Sequence, residues 1–213
     1  LIFKWRKVMD ERIKNVKMLT DNPFLNMYEM DAVKRSGDTF KYYFASRGRG
    51  EEMKIYTHEN HPEGVVVYGV YGENHDKIVL VRQFRYPIND YIYEFPAGLV
   101  EKGEDPQMTG VREFKEETGL DFTLYTGGTS VYRRPFYTTV GLTDESVEPV
   151  FGFASGMPDK SYQEDTEDIK TVIADRDEVR RILREEKVAM KCALLLMQFL
   201  RAEEGNPFGF LEL

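Results

Sequence analysis

An α/β or α+β fold is what this sequence predicts, and three observations carry it. Residues 65–71 and 78–86 are rich in Val, Ile and Tyr and are joined by Gly72-Glu73-Asn74-His75, a strand–turn–strand pattern. Residues 106–118 carry helix start and stop signals and lie between strand candidates. Two more helical stretches, residues 176–186 and 188–203, close the chain. Strands mixed with helices, one helix lying between strands, define that class.

Taken in order, residues 24–35 and 39–47 are β-rich and separated by Ser36-Gly37-Asp38, a turn signal. They read as a hairpin-like N-terminal sheet, followed by a polar loop over residues 47–52. After the 65–71 and 78–86 strands comes another at 91–95, ending in Pro96-Ala97-Gly98. The central helix follows: Asp105 is an N-cap type, Pro106 suits the first helical position, and Gly119 is a C-terminal stop. Later strands are expected at 122–133, 146–154 and 169–174, with a polar loop over 155–167. The last helix is apolar nearly all round and is expected to be well buried. The organisation predicted is a β-rich N-terminal region over residues 1–60 and a main domain over 61–213.

The chain has 213 residues, 41% of them hydrophobic and 13% aromatic, enough to build a core. The net charge is −8 and no basic run is present, which argues against nucleic acid as a partner. An anionic substrate must then be met by a metal and a few placed arginines. The lone cysteine, Cys192, excludes an internal disulfide and fits a reducing cytoplasm. It lies in an apolar stretch and reads as buried core. No apolar run has the length of a membrane span, and Leu1-Ile2-Phe3 is too short for a span or a secretory segment. Met9 is an alternative start. Trp5, Phe208 and Phe210 read as packing or interface residues. His58, His61 and His75 lie in polar loops or turns with no third ligand in view.

Residues 98–120 read GLVEKGEDPQMTGVREFKEETGL. On the predicted helix Glu113, Glu116 and Glu117 are spaced i, i+3 and i+4, so all three share one face. An isolated E-x-x-E-E would be a solvated helix face. Here Gly98, Glu104, Arg112 and Gly119 stand at fixed distances from it. Three clustered carboxylates repel one another, and a hard divalent cation removes that cost. Bound metal would neutralise an anionic group and sharpen a coordinated water. The flanking glycines, 98 and 119, are expected to let the backbone turn tightly. Arg112 stands four residues before Glu116, in reach of an ordinary helical ion pair.

The spacing matches the Nudix box, G-x5-E-x7-R-E-U-x-E-E-x-G-U with U a bulky aliphatic or apolar residue, Phe114 and Leu120 filling the U positions, and the chain resembles the Nudix hydrolases. That resemblance spans about residues 65–203. It implies a mixed sheet sandwiched between helices and cleavage of a nucleoside diphosphate linked to another group. It implies Mg²⁺, with Mn²⁺ as an alternative, held by the Ala97 carbonyl, Glu104, Glu113 and Glu117. Arg112 would orient the glutamates.

Flanking residues narrow the resemblance. Residues 81–87, VRQFRYP, and 94–98, EFPAG, look like the ADP-ribose and ADP-sugar pyrophosphatase branch. There Arg85 and Glu94 would hold substrate. Gly141-Leu142-Thr143-Asp144-Glu145 resembles the loop that brings a glutamate over the metals, making Glu145 the candidate general base and Glu116 the next candidate. Arg47 would reach substrate from the N-terminal region, in its own chain or a partner's. That N-terminal region resembles the small sheet domain that commonly builds the homodimer in this branch. Pro135 fits by count the proline that usually lies about fifteen residues beyond the box. By context, Thr139-Val140-Gly141 occupies the Ser-Pro-Gly place instead, and the two alignments differ by five residues. The expectation is ADP-ribose hydrolysis to AMP and ribose 5-phosphate in the cytoplasm. The alternatives are another nucleoside diphosphate sugar or a dinucleotide, and a non-cleaving ADP-ribose sensor.

Overall fold

A computed structural model describes residues 12–163, 168–203 and 205–212. Trp5 and Met9 lie outside them. Backbone contacts divide the chain into two compact units. One holds the described part of Leu1–Glu63 together with Phe136–Ser146, and the other holds Gly64–Pro135 and Val147–Leu213.

The first unit is built on an antiparallel sheet ordered β1 (Ile13–Met18), β2 (Asn26–Val33), β3 (Thr39–Ser46). The expected hairpin is β2–β3, paired from Val33 with Thr39 to Asn26 with Ser46, and Gly37 turns it with φ +93°. β1 was not legible in the sequence. It is mostly polar, carries Asn15 at φ 50°, and its register shifts between Lys14 and Lys17, which breaks the two-residue period. Tyr28, Phe44 and Met53 form the small core, with the two rings stacked at 5.3 Å. A single helical turn, α1 (Lys54–Thr57), follows Met53. The segment 136–146 joins this unit through Ala45 N–H to the Leu142 carbonyl and the Tyr42 hydroxyl to the Gly141 carbonyl, both 2.8 Å.

In the second unit β4 (Gly64–Tyr71), β5 (Lys77–Arg85), β6 (Asp90–Glu94) and β7 (Ala97–Leu99) lead into α2 (Pro106–Thr118). β8 (Asp121–Leu124) precedes the short β9 (Phe136–Tyr137) of the inserted segment. β10 (Ser146–Ser155), β11 (Ile169–Ala174), α3 (Arg176–Glu185) and α4 (Met190–Arg201) complete the chain. The strand order is β11-β5-β4-β10-β8, with β6 on β5 and β7 on β4. β4 and β10 run parallel while β5, β6, β7, β8 and β11 pair antiparallel, so the sheet is mixed.

Alternation along β4 sorts the two faces. Val65 and Val67 pack with Phe114, Leu120 and Val150 on the α2 side. Val66, Tyr68 and Val70 pack with Val179, Ile182, Cys192, Leu196 and Phe199 on the α3–α4 side. The sheet is therefore sandwiched between helices, as the resemblance implied, because its strands are apolar on both faces. Phe114 fits because Gly69 lies under it: a Cβ there would stand 2.6 Å from the ring.

Two expectations are corrected. The strand expected over 122–133 ends at Leu124. Beyond it Gly128 has φ +78°, and the Thr129 N–H goes to the Leu211 carbonyl rather than to a neighbouring strand. The last helix is not buried all round: Cys192, Leu196 and Phe199 are buried, while Met190, Leu194 and Met197 are exposed. Phe208 is buried, stacking on Tyr125 at 4.3 Å. Among the described residues no helix is long and apolar enough to cross a membrane.

Candidate active site

The α2 boundaries follow from its caps. The Asp105 side chain accepts from Gln107 N–H and Met108 N–H, and Gly119 closes the helix at φ +74°. A side chain at 119 would also strike the Asp159 backbone at 2.2 Å. One polar face of this helix carries the box carboxylates.

Arg112 organises them. Its Nε and Nη2 donate to the two oxygens of Glu104 at 3.0 and 3.1 Å. Nη1 donates to Glu113 Oε1 and Glu116 Oε2, both at 2.9 Å. Nη2 also reaches the Leu99 carbonyl at 3.3 Å. One planar guanidinium thus holds three carboxylates and a strand carbonyl, a geometry an ammonium could not supply. Hydrogen bonds from Arg112, and then from Thr109, hold the Glu104 carboxyl down at about 2. The same pairing with Glu104 raises Arg112 above its ordinary value.

Glu117 is buried at 4% exposure, and its Oε2 accepts from the Ala97 N–H at 3.1 Å. Gly98, beside it on β7, has ordinary extended backbone and not the tight turn expected of it. Its need is space: a Cβ there would stand 1.8 Å from the Glu113 carboxyl carbon. Strand β7, helix α2 and the loop between them therefore bring Ala97, Gly98, Glu104, Arg112, Glu113, Glu116 and Glu117 into one cluster.

Arg85 and Glu94, from β5 and β6, are brought together as an ion pair, Nε to Oε2 at 2.5 Å. Arg47 and Glu145 belong to the first unit. Arg47 Nη1 donates to the Phe24 carbonyl at 3.5 Å. The Glu145 carboxylate accepts from Thr138 Oγ1 at 2.8 Å. Pro135 is the last residue before the inserted segment, and residues 139–141 lie within it. The part played by Thr138 was missed in the sequence. A lone threonine seven residues before a glutamate gives no signal, since only the fold turns the two toward each other.

The NUDIX domain model matches residues 60–193. The chain belongs to the Nudix hydrolase family. It is similar to the methanol dehydrogenase activator of Bacillus methanolicus, 32% identical over 148 residues covering 68% of this chain and 75% of that one. It is equally similar to the ADP-ribose pyrophosphatase of Bacillus subtilis, 32% over 146 residues, with 68% and 75% covered. A shorter stretch of 46 residues is 50% identical to the ADP-sugar pyrophosphatase of Mus musculus, covering 22% of this chain and 21% of that one.

Nudix hydrolases use divalent metal ions, and the donors here suit one. Carboxylate oxygens and a backbone carbonyl are hard ligands. Glu104, Glu113 and Glu116 share a single guanidinium, and Glu117 meets the neutral Ala97 N–H, so the carboxylates outnumber the cation that faces them. Among the described residues no three acidic or His/Cys side chains converge on one ligand point. Each carboxylate instead turns to the nearest donor, Arg112 or the Ala97 N–H.

Proposed function

We propose that this Nudix hydrolase cleaves ADP-ribose into AMP and ribose 5-phosphate. The observation that carries the reading is the Arg112-centred carboxylate cluster against Gly98, in a chain that also pairs Arg85 on β5 with Glu94 on β6. Similarity to pyrophosphatases acting on ADP-ribose and ADP-sugars supports the same substrate class.

Mg²⁺, with Mn²⁺ as an alternative, would be held by the Ala97 carbonyl, Glu104, Glu113 and Glu117, and would supply charge neutralisation of the diphosphate. The chain's own residues do the rest. Arg112 gathers Glu104, Glu113 and Glu116 around one guanidinium and holds the Glu104 carboxyl ionised. Arg85 offers a planar donor to phosphate or ribose oxygens, with Glu94 fixing its direction. Glu145 takes the proton of the attacking water, whose oxygen bonds to one phosphorus as the bridging P–O bond to the other phosphate breaks, and the products separate as two phosphomonoesters. Glu116 is the next candidate for that proton, and Arg47 is proposed to reach substrate from the N-terminal region.

Residues 1–60 are proposed as the dimerisation region. Three strands with so small a core need a further surface to pack on, and Phe24 at 74% exposure, with Phe40 and Tyr43, offers apolar area for a second copy. The net charge of −8 argues for a small-molecule substrate and not nucleic acid, and the single, buried thiol for a cytoplasmic setting. The deciding experiment is metal-dependent AMP release across ADP-ribose, other ADP-sugars, GDP-mannose, NADH and diadenosine polyphosphates. Preference for ADP-ribose supports the reading. Preference for another substrate moves it to a different pyrophosphatase. Binding of ADP-ribose without turnover makes the protein a sensor.

A further inference from the structure

The residues on either side of Glu145 are gripped by one buried cation. Lys54 opens α1, and its side chain is only 9% exposed. Its ammonium donates to Glu63 Oε2 at 2.7 Å, to Ser146 Oγ at 2.6 Å and to the Asp144 carbonyl at 3.1 Å. All three donors of the ammonium are thereby used. Glu63 Oε2 also accepts the Ser146 N–H at 2.8 Å. The Ser146 hydroxyl donates to the His61 carbonyl at 3.2 Å. One residue further back, the Asp144 carboxylate accepts from Ser46 Oγ at 2.8 Å.

A lysine and a glutamate that merely neutralised each other would need only the first of these contacts. Here two of the three ammonium bonds fall on residues 144 and 146, and Glu145 stands between them. Its backbone is pinned before and after. Its N–H meets Thr143 Oγ1 at 3.2 Å and its carbonyl accepts from Thr138 N–H at 3.0 Å. What remains free is the side chain, directed by the one bond from Thr138 Oγ1.

We infer that Lys54 is the positioning residue for Glu145: a buried point charge that fixes the peptide on both sides of the glutamate, so that its carboxylate is delivered to one place. The inference rests on reading Glu145 as the general base. Lys54, Glu63 and Ser46 all belong to the same compact unit as Glu145. Lys54 touches no substrate in this scheme. Its effect passes wholly through the glutamate, and misplacing a reacting group by about 1 Å costs on the order of 10²-fold in rate.

The test is a four-enzyme cycle on the full chain: wild type, Lys54→Met, Glu145→Gln, and the double variant. AMP release from ADP-ribose with Mg²⁺ is measured for each. Lys54→Met is expected to lower kcat by about 10- to 100-fold and to leave KM within about threefold. In the Glu145→Gln background the same change should cost less than about threefold, since there is no base left to position. A merely structural lysine would lower kcat equally in both backgrounds, and that additivity overturns the inference. So does unchanged kcat in Lys54→Met beside a large loss in Glu145→Gln, an outcome that leaves Glu145 as the base. Unchanged kcat in Glu145→Gln overturns the base itself and the positioning role with it. Should Lys54→Met fail to fold because Glu63 is left unpaired, Lys54→Met/Glu63→Gln takes its place in the cycle. The amide oxygen still accepts the Ser146 N–H while the uncompensated charge is gone.

Discussion

Gly98→Ala tests the active-site geometry most directly. The added methyl would lie 1.8 Å from the Glu113 carboxyl carbon and 2.1 and 2.3 Å from its oxygens, where ordinary contact begins at 3.4 Å. The strand cannot give way easily, because β7 is paired to β4 through Gly64–Leu99, Val65–Gly98 and Val66–Ala97. Glu113 must therefore swing out and lose its 2.9 Å bond from Arg112. An off-rotamer side chain costs about 0.5–1.5 kcal/mol and a lost hydrogen bond about as much again. The expected destabilisation is thus about 1–3 kcal/mol, with Tm falling by about 2–4 °C for each kcal/mol in a chain of this size. The catalytic cost should be far larger. A metal-binding carboxylate displaced by more than 1 Å predicts a loss of about 10²-fold or more in kcat/KM, with the Mg²⁺ activation curve shifted to higher concentration. Metal-titrated AMP release and thermal unfolding measure the two effects on one preparation. Gly110→Ala is the comparison: its Cβ would meet the Val150 methyls at 2.8 Å, overpacking the core but not touching a carboxylate. It should lower Tm comparably and cost turnover far less. Gly98→Ala with wild-type turnover and an unshifted Mg²⁺ curve would refute the placement of Glu113 at the metal.

Glu117→Gln keeps the hydrogen bond from Ala97 N–H but removes a buried charge, so turnover should fall by more than about 10²-fold while circular dichroism and Tm are retained. Burial raises the Glu148 carboxyl above its usual 4.5 despite the bond from Gln107. A raised acid contributes stability that is present below the unfolded value and lost as pH rises through the folded one, so Glu148→Gln should raise Tm at pH 7 and leave it unchanged near pH 3.5. An equal Tm change at both pH values would count against this. Sedimentation at micromolar concentration should give a two-fold dimer; a monomer would remove the proposed role of the N-terminal sheet.

The sequence by itself determined the local geometry of this protein. The spacing of Glu113, Glu116 and Glu117 sets their common helix face because 3.6 residues make a turn. Asp105, Pro106 and Gly119 bound that helix because each satisfies or ends the hydrogen-bond ladder at short range. The Val-rich strands also declared themselves by composition. Only the tertiary structure decided what lies across from them. Gly98 looked like a turn residue and is a clearance for Glu113. β1 and the short β7 have too little pattern of their own and exist through their partners. The expected strand stops at Leu124, and beyond it the Thr129 N–H turns to a carbonyl from Leu211, far along the chain. Glu145 was legible as a loop acid, but its attachment to Lys54 joins positions 90 or more residues apart. No periodicity reports such a contact. It forms because a buried ammonium must fill all three of its hydrogen bonds, and the fold brings residues 63, 144 and 146 within its reach.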